Sequence, residues 1–548
     1  MQKMLDLWQT LPLFDEETKL AVRNLSPDEQ AAAFGAELAF GTGGLRGILG
    51  VGTNQMNVYT VAKVTQGLSR YLKKTGGKKV AIAYDTRHFS KEFAQTAACV
   101  LAKNGLTAYV FDVPRPTPML SFAVREMGCD AGIVVTASHN PAQYNGYKVY
   151  GADGCQITDA VADAITKCIR GVKYEKLGWL ALKAAKAKGL FQDMPNHVYD
   201  AYIQKTLAVL NGLDTEGELR VVYTPLHGTG LEPVTDVLGQ LRGVEYVLVK
   251  KQLKPDGNFP TCLKPNPETE EALTLGLKQL KKEQADILIA TDPDSDRLGV
   301  VARDGKGFYR LSGNEVGLVL TEYLLSKRVY RAAPTVIKTI VTSDLVFPIA
   351  EKYGAKVAEV LTGCKYIGEY IGEMEARGEL DLFALGFEES CGYLAAPHVR
   401  DKDGVLAAAL ICVVARTLKK QGKTLADAVR KIYEEYGYLE NKLLEFERKG
   451  VTAKADMARL MRGIRKKPPE TLAGEKVIHI KDYKPGLDGL PPSDVLCFET
   501  DGGSKALIRP SGTEPKVKVY LFAKAKSRDA AALKIEAMEA WFEKRQRR

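Results

Sequence analysis

The 548-residue sequence predicts an α/β protein of three or four domains. Its length accommodates that number at roughly 100–200 residues per domain. Several short apolar segments end in a polar or glycine-rich loop, and helical stretches such as 92–105 lie between or after them. Continuous apolar segments of this kind are typical of parallel strands that are covered on both faces by helices.

The predicted strands follow one pattern along the chain. They are KKVAIAYDTR (78–87), AGIVVTASHN (131–140), LRVVYTPLHG (219–228), ADILIATDPD (285–294), PTVIKTIVTS (334–343) and LDLFALGFEES (380–390). In α/β sheets, ligands bind at the carboxyl ends of the strands. The loops at 136–141, 292–297 and 388–390 carry unusual side chains at such ends, with a spacing close to one loop per domain.

The C-terminal part of the chain has a different pattern. Residues 454–475 are charged and proline-bearing, and they predict a helix followed by a connection. Residues 494–525 predict antiparallel strands with turns, followed by a final helix. We therefore expect the last domain to be smaller and of the α+β class.

The composition limits the possible functions. The net charge of +10 is modest, and Lys and Arg are spread among comparable numbers of Asp and Glu. This distribution argues against nucleic-acid and membrane partners and is compatible with small anionic substrates. The N-terminal segment does not read as a signal peptide, and no apolar run reaches the ~18 residues of a transmembrane helix. Nine scattered cysteines without a CxxC pair indicate reduced thiols in a cytoplasmic protein, and no zinc-ligand spacing is present.

The segment DPDSDR places Asp292, Asp294 and Asp296 at alternate positions after an apolar strand. Alternating carboxylates in a turn are hard oxygen ligands that suit Mg²⁺ or Ca²⁺. An EF-hand is excluded, since Arg297 and Arg303 stand where its glycine and glutamate would be. Three acids in a loop are often only a solvated turn, but their mutual repulsion at a strand end favours a bound cation. Arg297 could hold a phosphate beside that cation.

The segment TASHNP (136–141) places Ser138 where a strand gives way to a loop. This signal is weak by itself, because such residues are common in turns, and the G-x-S-x-G elbow of hydrolases is absent. A serine needs a base, a metal or an anion-stabilising cradle to act as a nucleophile. Lys148 is close enough in sequence to act nearby, although it could equally be a surface lysine.

Two further segments suggest phosphate and polyol binding. RPSGTEPKVKVY (509–520) combines Arg509, Ser511, Gly512, Thr513 and Lys518. A glycine-containing turn with hydroxyls and an arginine can cradle a phosphate, although an ordinary hairpin turn is about equally compatible. The segment GFEES contains the carboxylate of Glu388 and the hydroxyl of Ser390. Together these groups suit the hydroxyl groups of a sugar, although the segment could also be only a charged loop.

Two other segments carry weaker signals. FGTGGLRG (40–47) contains Arg46 among glycines but lacks the Lys-Ser/Thr ending of a P-loop. YDTR contains Asp85 and Arg87, which we interpret as a structural ion pair. Taken together, the motifs predict phosphoryl transfer on a sugar phosphate. They supply a divalent-metal site, a phosphoryl-accepting serine, a second phosphate cradle and a polyol site.

These motifs resemble, in order and over essentially the whole chain, those of the α-D-phosphohexomutase superfamily. Its members carry a phosphoserine loop T-A-S-H-N-P, a metal loop D-x-D-x-D-R, a sugar loop G-E-x-S-G and a phosphate loop R-x-S-G-T-E-P. Here the sugar loop reads FEESCG, with Cys391 before the glycine. The segments FGTGGLRG, TPLHGTG and TGCKYIGE are similar to the long phosphoglucomutase and phosphopentomutase branch.

The resemblance implies four domains around a central cleft, the first three being related α/β units with mixed, mostly parallel sheets. We place them at 1–205, 206–318, 319–435 and 436–548. It also implies that Ser138 is phosphorylated and that Ser138, Asp292, Asp294 and Asp296 hold Mg²⁺. Glucose 1,6-bisphosphate would be the activator, and the protein would be a monomer or homodimer.

The resemblance further assigns roles to individual residues. Arg46 would support the reacting phosphate, with Lys148 as general acid/base and His139 as a weaker candidate. The implied substrate-binding residues are Arg297, Thr362, Gly363, Lys365, Glu388, Ser390, Arg509, Ser511, Gly512, Thr513 and Lys518.

The leading functional hypothesis is a phosphoglucomutase that interconverts glucose 1-phosphate and glucose 6-phosphate through a bisphosphate intermediate. A phosphopentomutase or phosphomannomutase on the same scaffold is the close alternative, because the residues that choose the sugar are not legible in the sequence. A catalytically silent sugar-phosphate-binding protein is the alternative from another class. A phosphatase is also conceivable, since water can accept the phosphoryl group in an open cleft.

Overall fold

The computed structural model describes residues 1–41, 43–213, 216–447, 453–510 and 516–546. It contains four successive sheets, three of them in α/β domains and the last in an antiparallel domain. This confirms the predicted four-domain architecture. The exact domain boundaries stay a prediction.

Three short helices precede the first sheet and were not predicted. They are α1 (Gln2–Thr10), α2 (Glu16–Arg23) and α3 (Pro27–Phe34). Trp8 is fully buried and holds them to the first domain, because its ring stacks on Phe14 at 4.3 Å and meets the edges of Tyr59 and Tyr174. Aromatic pairs at these distances stabilise beyond simple area burial.

The first domain has a six-stranded sheet in the order β1-β5-β4-β2-β3-β6. The pairs β4-β2, β2-β3 and β3-β6 are parallel, and the other two are antiparallel. The strands are β1 (Leu45–Ile48), β2 (Lys79–Tyr84), β3 (Thr107–Val110), β4 (Ala131–Val135), β5 (Tyr144–Gly151) and β6 (Phe191–Asp193). The helices are α4 (Val58–Thr75), α5 (Ser90–Lys103), α6 (Thr117–Glu126), α7 (Asp159–Arg170), α8 (Leu182–Ala187) and α9 (Asn196–Ala208).

The second domain has the order β11-β10-β9-β7-β8, with two parallel and two antiparallel pairs. Its sheet is therefore evenly mixed, whereas we expected it to be mostly parallel. The difference arises because the chain turns back after the acidic loop, so that β10 runs antiparallel to β9 and β11 runs antiparallel to β10. The elements are β7 (Leu219–Thr224), α10 (Leu231–Leu238), β8 (Val244–Leu248), α11 (Glu270–Lys282), β9 (Ile287–Thr291), β10 (Leu298–Asp304) and β11 (Gly307–Leu311).

The third domain has the order β13-β12-β14-β15, in which only the last pair is antiparallel. Its elements are α12 (Gly313–Lys327), β12 (Thr335–Thr339), α13 (Val346–Lys352), β13 (Lys356–Val360), α14 (Cys364–Ala376), β14 (Phe383–Glu388), β15 (Gly392–Leu394), α15 (Gly404–Lys420) and α16 (Leu425–Tyr436).

Helix α15 joins the second and third domains. It is buried from Gly404 to Thr417 and packs on α10, β7 and β9 of the second domain. A Cβ atom on Gly404 would lie 2.7 Å from the carbonyl oxygen of Ser295. The glycine therefore allows the start of α15 to approach the acidic loop of the second domain.

The fourth domain is an antiparallel sheet in the order β16-β21-β20-β19-β18-β17, as predicted. Its core contains Met461, Phe498 and Met538, which belong to α17, the sheet and α18. The elements are β16 (Tyr438–Glu447), α17 (Ala453–Lys466), β17 (Thr471–Leu472), β18 (Glu475–Asp482), β19 (Leu496–Thr500), β20 (Lys505–Pro510), β21 (Lys516–Ala525) and α18 (Arg528–Gln546).

Two global features agree with the sequence. All nine cysteines are free and buried. Among the described residues, no helix is both long enough and apolar enough to span a bilayer.

Candidate active site

Ser138 lies in the loop that follows β4. Its φ of 51° is in the left-handed region, and its backbone N–H donates to Thr136 Oγ1 at 2.8 Å. The Ser138 hydroxyl donates to Asp292 Oδ2 at 2.7 Å and lies 3.2 Å from His139 Nδ1. The turn therefore aims the hydroxyl of the first domain at a carboxylate of the second.

Asp292, Asp294 and Asp296 lie between β9 and β10, and all three are buried. Their ligand oxygens lie within 4.8 Å of one another. Asp294 Oδ1 and Asp296 Oδ1 are buried without a hydrogen-bond partner, so each has lone pairs that a cation could use. Three hard oxygen donors so arranged suit a Mg²⁺ ion held by few protein ligands.

Burial and neighbouring charges shift the pKa values of Asp292 and Asp294 in opposite directions. Burial, followed by the charges of Asp294 and Asp296, raises the pKa of Asp292 well above its ordinary value. Burial acts in the same direction on Asp294, but Lys148 and a hydrogen bond from Thr117 overcome it and lower the pKa of Asp294. Crowded carboxylates in a dry site are expected to ionise together only beside cations.

Two lysines border the acidic cluster from different domains. Lys148 Nζ lies 3.0 Å from Asp294 Oδ2 and 3.8 Å from Asp296 Oδ2. It reaches this position because it pairs with Val134 in the antiparallel register of β4 and β5. Lys402 Nζ lies 3.2 Å from Asp296 Oδ2. Lys148 is therefore a nearly buried site residue and not a surface lysine.

Lys402 was missed by the sequence analysis. Its Nζ lies 3.3 Å from Asp401 Oδ1 and 4.0 Å from Glu388 Oε2, so it connects the acidic cluster to the predicted sugar loop. Asp401 Oδ2 in turn accepts a hydrogen bond of 2.6 Å from the Tyr150 hydroxyl. The only signal in the sequence was the charged segment RDKDG before a long apolar helix.

Thr117 was also missed, although it touches the acidic loop twice. Its hydroxyl donates to Asp294 Oδ2 at 2.9 Å, and its backbone N–H donates to the Asp294 carbonyl oxygen at 2.9 Å. The residue begins α6 of the first domain, and neither a motif nor a charge marks it in the sequence.

The two cations predicted near the reacting phosphate contact different segments of the site. Arg297 Nη1 donates to Glu268 Oε1 at 2.8 Å, and its backbone N–H donates to Asp292 Oδ1 at 3.1 Å. Arg46 lies on β1, and its Nη1 donates to Asn140 Oδ1 at 3.5 Å.

His139 is a neutral imidazole in these surroundings. Burial lowers its pKa well below the ordinary value, and the positive charges of Arg297 and Arg46 act in the same direction. A neutral ring can accept a proton, and its Nδ1 lies within hydrogen-bond distance of the Ser138 hydroxyl.

The predicted sugar loop connects β14 to β15. Glu388 is buried at the end of β14, Ser390 is half-buried in the turn, and Cys391 has a φ of 60°. Burial raises the pKa of Glu388. Burial and the nearby charge of Glu388 raise the pKa of Glu389 to about 8. The charge of Arg509 opposes this shift in Glu389.

The segment before α14 holds the next predicted residues. Thr362 Oγ1 is buried without a hydrogen-bond partner, and Gly363 has a φ of 126° that favours glycine. Lys365 Nζ lies 3.1 Å from Asp159 Oδ1, at the start of α7 in the first domain. The structure therefore places Lys365 in a contact between the first and third domains.

The predicted phosphate cradle is only partly described. Arg509 on β20 pairs in register with Lys518 on β21. Arg509 Nη2 donates to the Tyr520 hydroxyl at 3.4 Å, its Nε is buried without a partner, and Lys518 Nζ lies 3.2 Å from Glu445 Oε1. The remaining predicted residues lie outside the described part of the chain; they are Ser511, Gly512 and Thr513.

Family comparisons agree with this architecture. Three models of the phosphoglucomutase/phosphomannomutase family match the chain, each describing one α/β/α domain. Domain I matches residues 37–176, domain II matches 200–305 and domain III matches 312–436.

Individual relatives extend the comparison. A phosphoglucomutase of Staphylococcus aureus (strain MSSA476) is 38% identical over 523 residues, which cover 93% of this chain and 94% of the relative. Among solved structures, a phosphoglucomutase/phosphomannomutase family protein from Burkholderia thailandensis has a TM-score of 0.70 at 20% identity, covering 93% of this chain and 97% of the other. Parafusin, a phosphoglucomutase from Paramecium, has a TM-score of 0.67 at 18% identity, with coverages of 93% and 94%.

The family models together span more than half of the chain, and the curated relative spans nearly all of it. The chain therefore belongs to the phosphoglucomutase/phosphomannomutase family and is a phosphohexomutase, an enzyme of the isomerase class.

Proposed function

We propose that this enzyme is a phosphoglucomutase that interconverts glucose 1-phosphate and glucose 6-phosphate. It works through a phosphorylated Ser138 and a glucose 1,6-bisphosphate intermediate, with Mg²⁺ as the cofactor and the bisphosphate as the activator. One observation carries this proposal: the Ser138 hydroxyl lies 2.7 Å from Asp292 Oδ2, inside a cluster of three buried carboxylates. The name of the S. aureus relative supports glucose as the sugar.

The acidic cluster is the proposed Mg²⁺ site. Asp292, Asp294 and Asp296 would hold the ion together with an oxygen of phosphorylated Ser138, and two of these carboxylates have an unpartnered oxygen. When bound, Mg²⁺ would offset the negative charge of the phosphoryl group during transfer. The chain itself would orient Ser138 and exclude water, since the serine and the three aspartates are buried.

Phosphoryl transfer also requires proton movement. A sugar hydroxyl oxygen forms the new bond to phosphorus and releases its proton, while the bond from phosphorus to the Ser138 oxygen breaks and that oxygen takes up a proton. Lys148 Nζ lies beside the carboxylates of the acidic cluster and is the proposed general acid/base. His139, whose ring is neutral and near Ser138, is the second candidate. In the second transfer, the other phosphate of the bisphosphate passes to the Ser138 oxygen, and the sugar oxygen that it leaves takes up a proton.

Two anion sites are needed because the bisphosphate presents a different phosphate to Ser138 after it turns round. Arg46 and Arg297 would hold the reacting phosphate. The remaining groups would hold the sugar hydroxyls and the distal phosphate: Thr362, Gly363, Lys365, Glu388, Ser390, Arg509, Ser511, Gly512, Thr513 and Lys518. Bidentate guanidinium contacts are well matched to phosphate oxygens.

The test measures the mass of the intact protein before and after incubation with glucose 1,6-bisphosphate and Mg²⁺. We expect a gain of one phosphoryl group, about 80 Da, with peptide fragmentation locating it on Ser138. The variant Ser138→Ala should lose turnover by more than about 10⁴-fold and gain no mass, because the acceptor oxygen is gone.

The matched control is Ser69→Ala. Ser69 is also a fully buried serine, but its hydroxyl donates to the Thr65 carbonyl oxygen inside α4. The control should retain both activity and phosphorylation. Near-normal turnover of Ser138→Ala would overturn the assignment of the nucleophile. Rates compared among glucose, mannose and pentose 1-phosphates decide the sugar, and a clear preference for mannose or pentose would overturn the glucose assignment.

A further inference from the structure

Arg87 lies directly behind the Ser138 loop, with no exposed side-chain surface. Its two Nη atoms donate to four carbonyl oxygens within residues 138–144. Nη2 donates to those of Ser138 (2.5 Å) and Asn140, and Nη1 to those of Pro141 (2.9 Å) and Tyr144 (3.1 Å). A single guanidinium thus gathers most of the turn that presents the serine.

Asp85 orients this guanidinium. Its Oδ2 lies 3.3 Å from Arg87 Nε, and its Oδ1 accepts the Arg87 backbone N–H at 2.9 Å and the Ser90 hydroxyl at 2.6 Å. The Asp85 backbone N–H donates to the Val135 carbonyl oxygen at 3.0 Å, at the end of β4. The two Nη groups therefore have carbonyl acceptors, whereas the Nε–H makes an ion pair with Asp85 Oδ2 without a hydrogen bond. A lysine ammonium, with three donors and no planar fork, cannot reproduce this arrangement.

The loop that Arg87 holds is under conformational strain. Ser138 has a φ of 51°, a left-handed conformation that is unfavourable for a residue with a side chain and persists only where the surroundings hold it. Releasing the four carbonyl groups from Arg87 would remove that determination. The Ser138 hydroxyl would then no longer be held 2.7 Å from Asp292 Oδ2.

The second domain closes over the other face of the same arginine. The Phe259 ring lies 4.9 Å from Arg87 Cζ, and His88 Nε2 lies 2.9 Å from Asn258 Oδ1. A Cβ atom on Gly257 would lie 2.6 Å from the His88 backbone nitrogen, so the two backbones touch. The domain that supplies the acidic loop is thus packed against the residue that holds the nucleophile loop.

We propose that Arg87 is a positioning residue that sets the distance between Ser138 and the acidic loop by clamping the nucleophile turn of the first domain against segment 257–259 of the second. This inference rests on the proposed role of Ser138 and adds to it. Arg87 acts through the loop backbone and through the domain contact. Its loss should therefore lower the rate of phosphoryl transfer more than the affinity for the sugar phosphate.

The test compares full-length wild-type protein with Arg87→Lys. We expect Arg87→Lys to lose about 100-fold in kcat, because a displacement of about 1 Å at the reacting atoms costs that much. The KM for glucose 1-phosphate should stay within about threefold. Phosphorylation of Ser138 by glucose 1,6-bisphosphate, followed by intact mass, should slow in parallel with kcat.

The matched control is Arg416→Lys. Arg416 is equally buried and lies near the C-terminal end of α15. Its Nη1 donates to the Arg242 carbonyl oxygen. It should lose thermal stability like Arg87→Lys but keep kcat within about threefold. The inference is overturned if folded Arg87→Lys keeps wild-type kcat, or if Arg416→Lys loses kcat equally. Wild-type protein without mutase activity or Ser138 phosphorylation would instead overturn the proposed function.

A second variant decides the matter if Arg87→Lys does not fold. Gly257→Ala adds one methyl group against the His88 backbone and should push the second-domain segment away from Arg87. We expect kcat to fall at least about tenfold while KM stays within about threefold. Gly463→Ala, on α17 with no neighbouring atom within 4 Å of the added Cβ, is its control. Unchanged kcat in folded Gly257→Ala would contradict the clamp.

Discussion

Lys148 is positioned so that its removal should have two opposite effects. Its Nζ lies 3.0 Å from Asp294 Oδ2 and 3.8 Å from Asp296 Oδ2, in the space where a divalent cation would bind. The ammonium therefore competes with Mg²⁺ for the same carboxylates. It is also the proposed general acid/base. The variant Lys148→Met keeps a similar length and removes the charge.

The structure sets the size of both effects. At an effective dielectric constant of ~20, Coulomb's law gives about 5.5 kcal/mol for a unit-charge pair at the 3.0 Å separation. Removing the Lys148 charge frees this attraction for Mg²⁺, but screening and a shift of Lys402 toward the vacated place reduce the effect. We therefore expect Mg²⁺ to bind about tenfold more tightly, a change of about 1.4 kcal/mol in binding free energy. Loss of the proton-transfer group should at the same time lower kcat by about 10²–10⁴-fold.

Calorimetric titration with Mg²⁺ measures the first effect without turnover, and steady-state kinetics at saturating Mg²⁺ measure the second. Lys338→Met is the matched control. Lys338 is also a buried lysine between two carboxylates, Asp344 at 2.8 Å and Glu359 at 2.6 Å, but it lies in the third domain. It should lose stability without either effect. If Lys148→Met binds Mg²⁺ no more tightly and keeps its kcat, the reasoning is refuted.

Two further predictions concern other regions. Arg509→Ala should raise KM about 10–100-fold through loss of a charged hydrogen bond to the distal phosphate. The variant should still be phosphorylated on Ser138 at saturating glucose 1,6-bisphosphate. A variant that gains no phosphoryl mass would contradict this role. Burial raises the pKa of Asp403 to about 6. Between about pH 4 and 6 the Asp403 carboxyl therefore keeps its proton in the folded protein and loses it in the unfolded chain. Because of this difference, the free energy of unfolding falls by about 3 kcal/mol as the pH rises through that range. Asp403→Asn has no carboxyl group at this position and should not show this fall. Measured by urea unfolding, its free energy of unfolding relative to wild type should therefore rise by about the same amount from pH 4 to 7. A difference between variant and wild type that does not change with pH would exclude the effect.

The sequence predicted where the candidate site residues lie relative to the strands, and their roles stay a prediction. Ser138 and the three aspartates each follow an apolar strand, and the structure places them at the ends of β4 and β9. This succeeds because a strand and its following turn are encoded by neighbouring residues. The Asp85–Arg87 ion pair was predicted for the same reason, since the two residues are two positions apart.

Contacts between distant segments were harder to predict. Lys402 and Thr117 both touch the acidic loop, yet one precedes an apolar helix and the other begins a short one. Their roles depend on how α15 and α6 pack against the second domain. The three N-terminal helices were missed as well, because the aromatic cluster around Trp8 draws on residues as far away as Tyr174.

The sequence by itself determined which chemical groups this protein has and at which strand ends they lie. Only the tertiary structure decided their partners: the Ser138 hydroxyl with Asp292, Lys148 with Asp294, and Arg87 with the carbonyl groups of the nucleophile loop. The physical reason is that turns and strands follow from short-range sequence patterns. The distances between loops depend instead on the packing of distant segments, within the first domain for Arg87 and Ser138, 51 positions apart, and between two domains for Ser138 and Asp292, 154 positions apart.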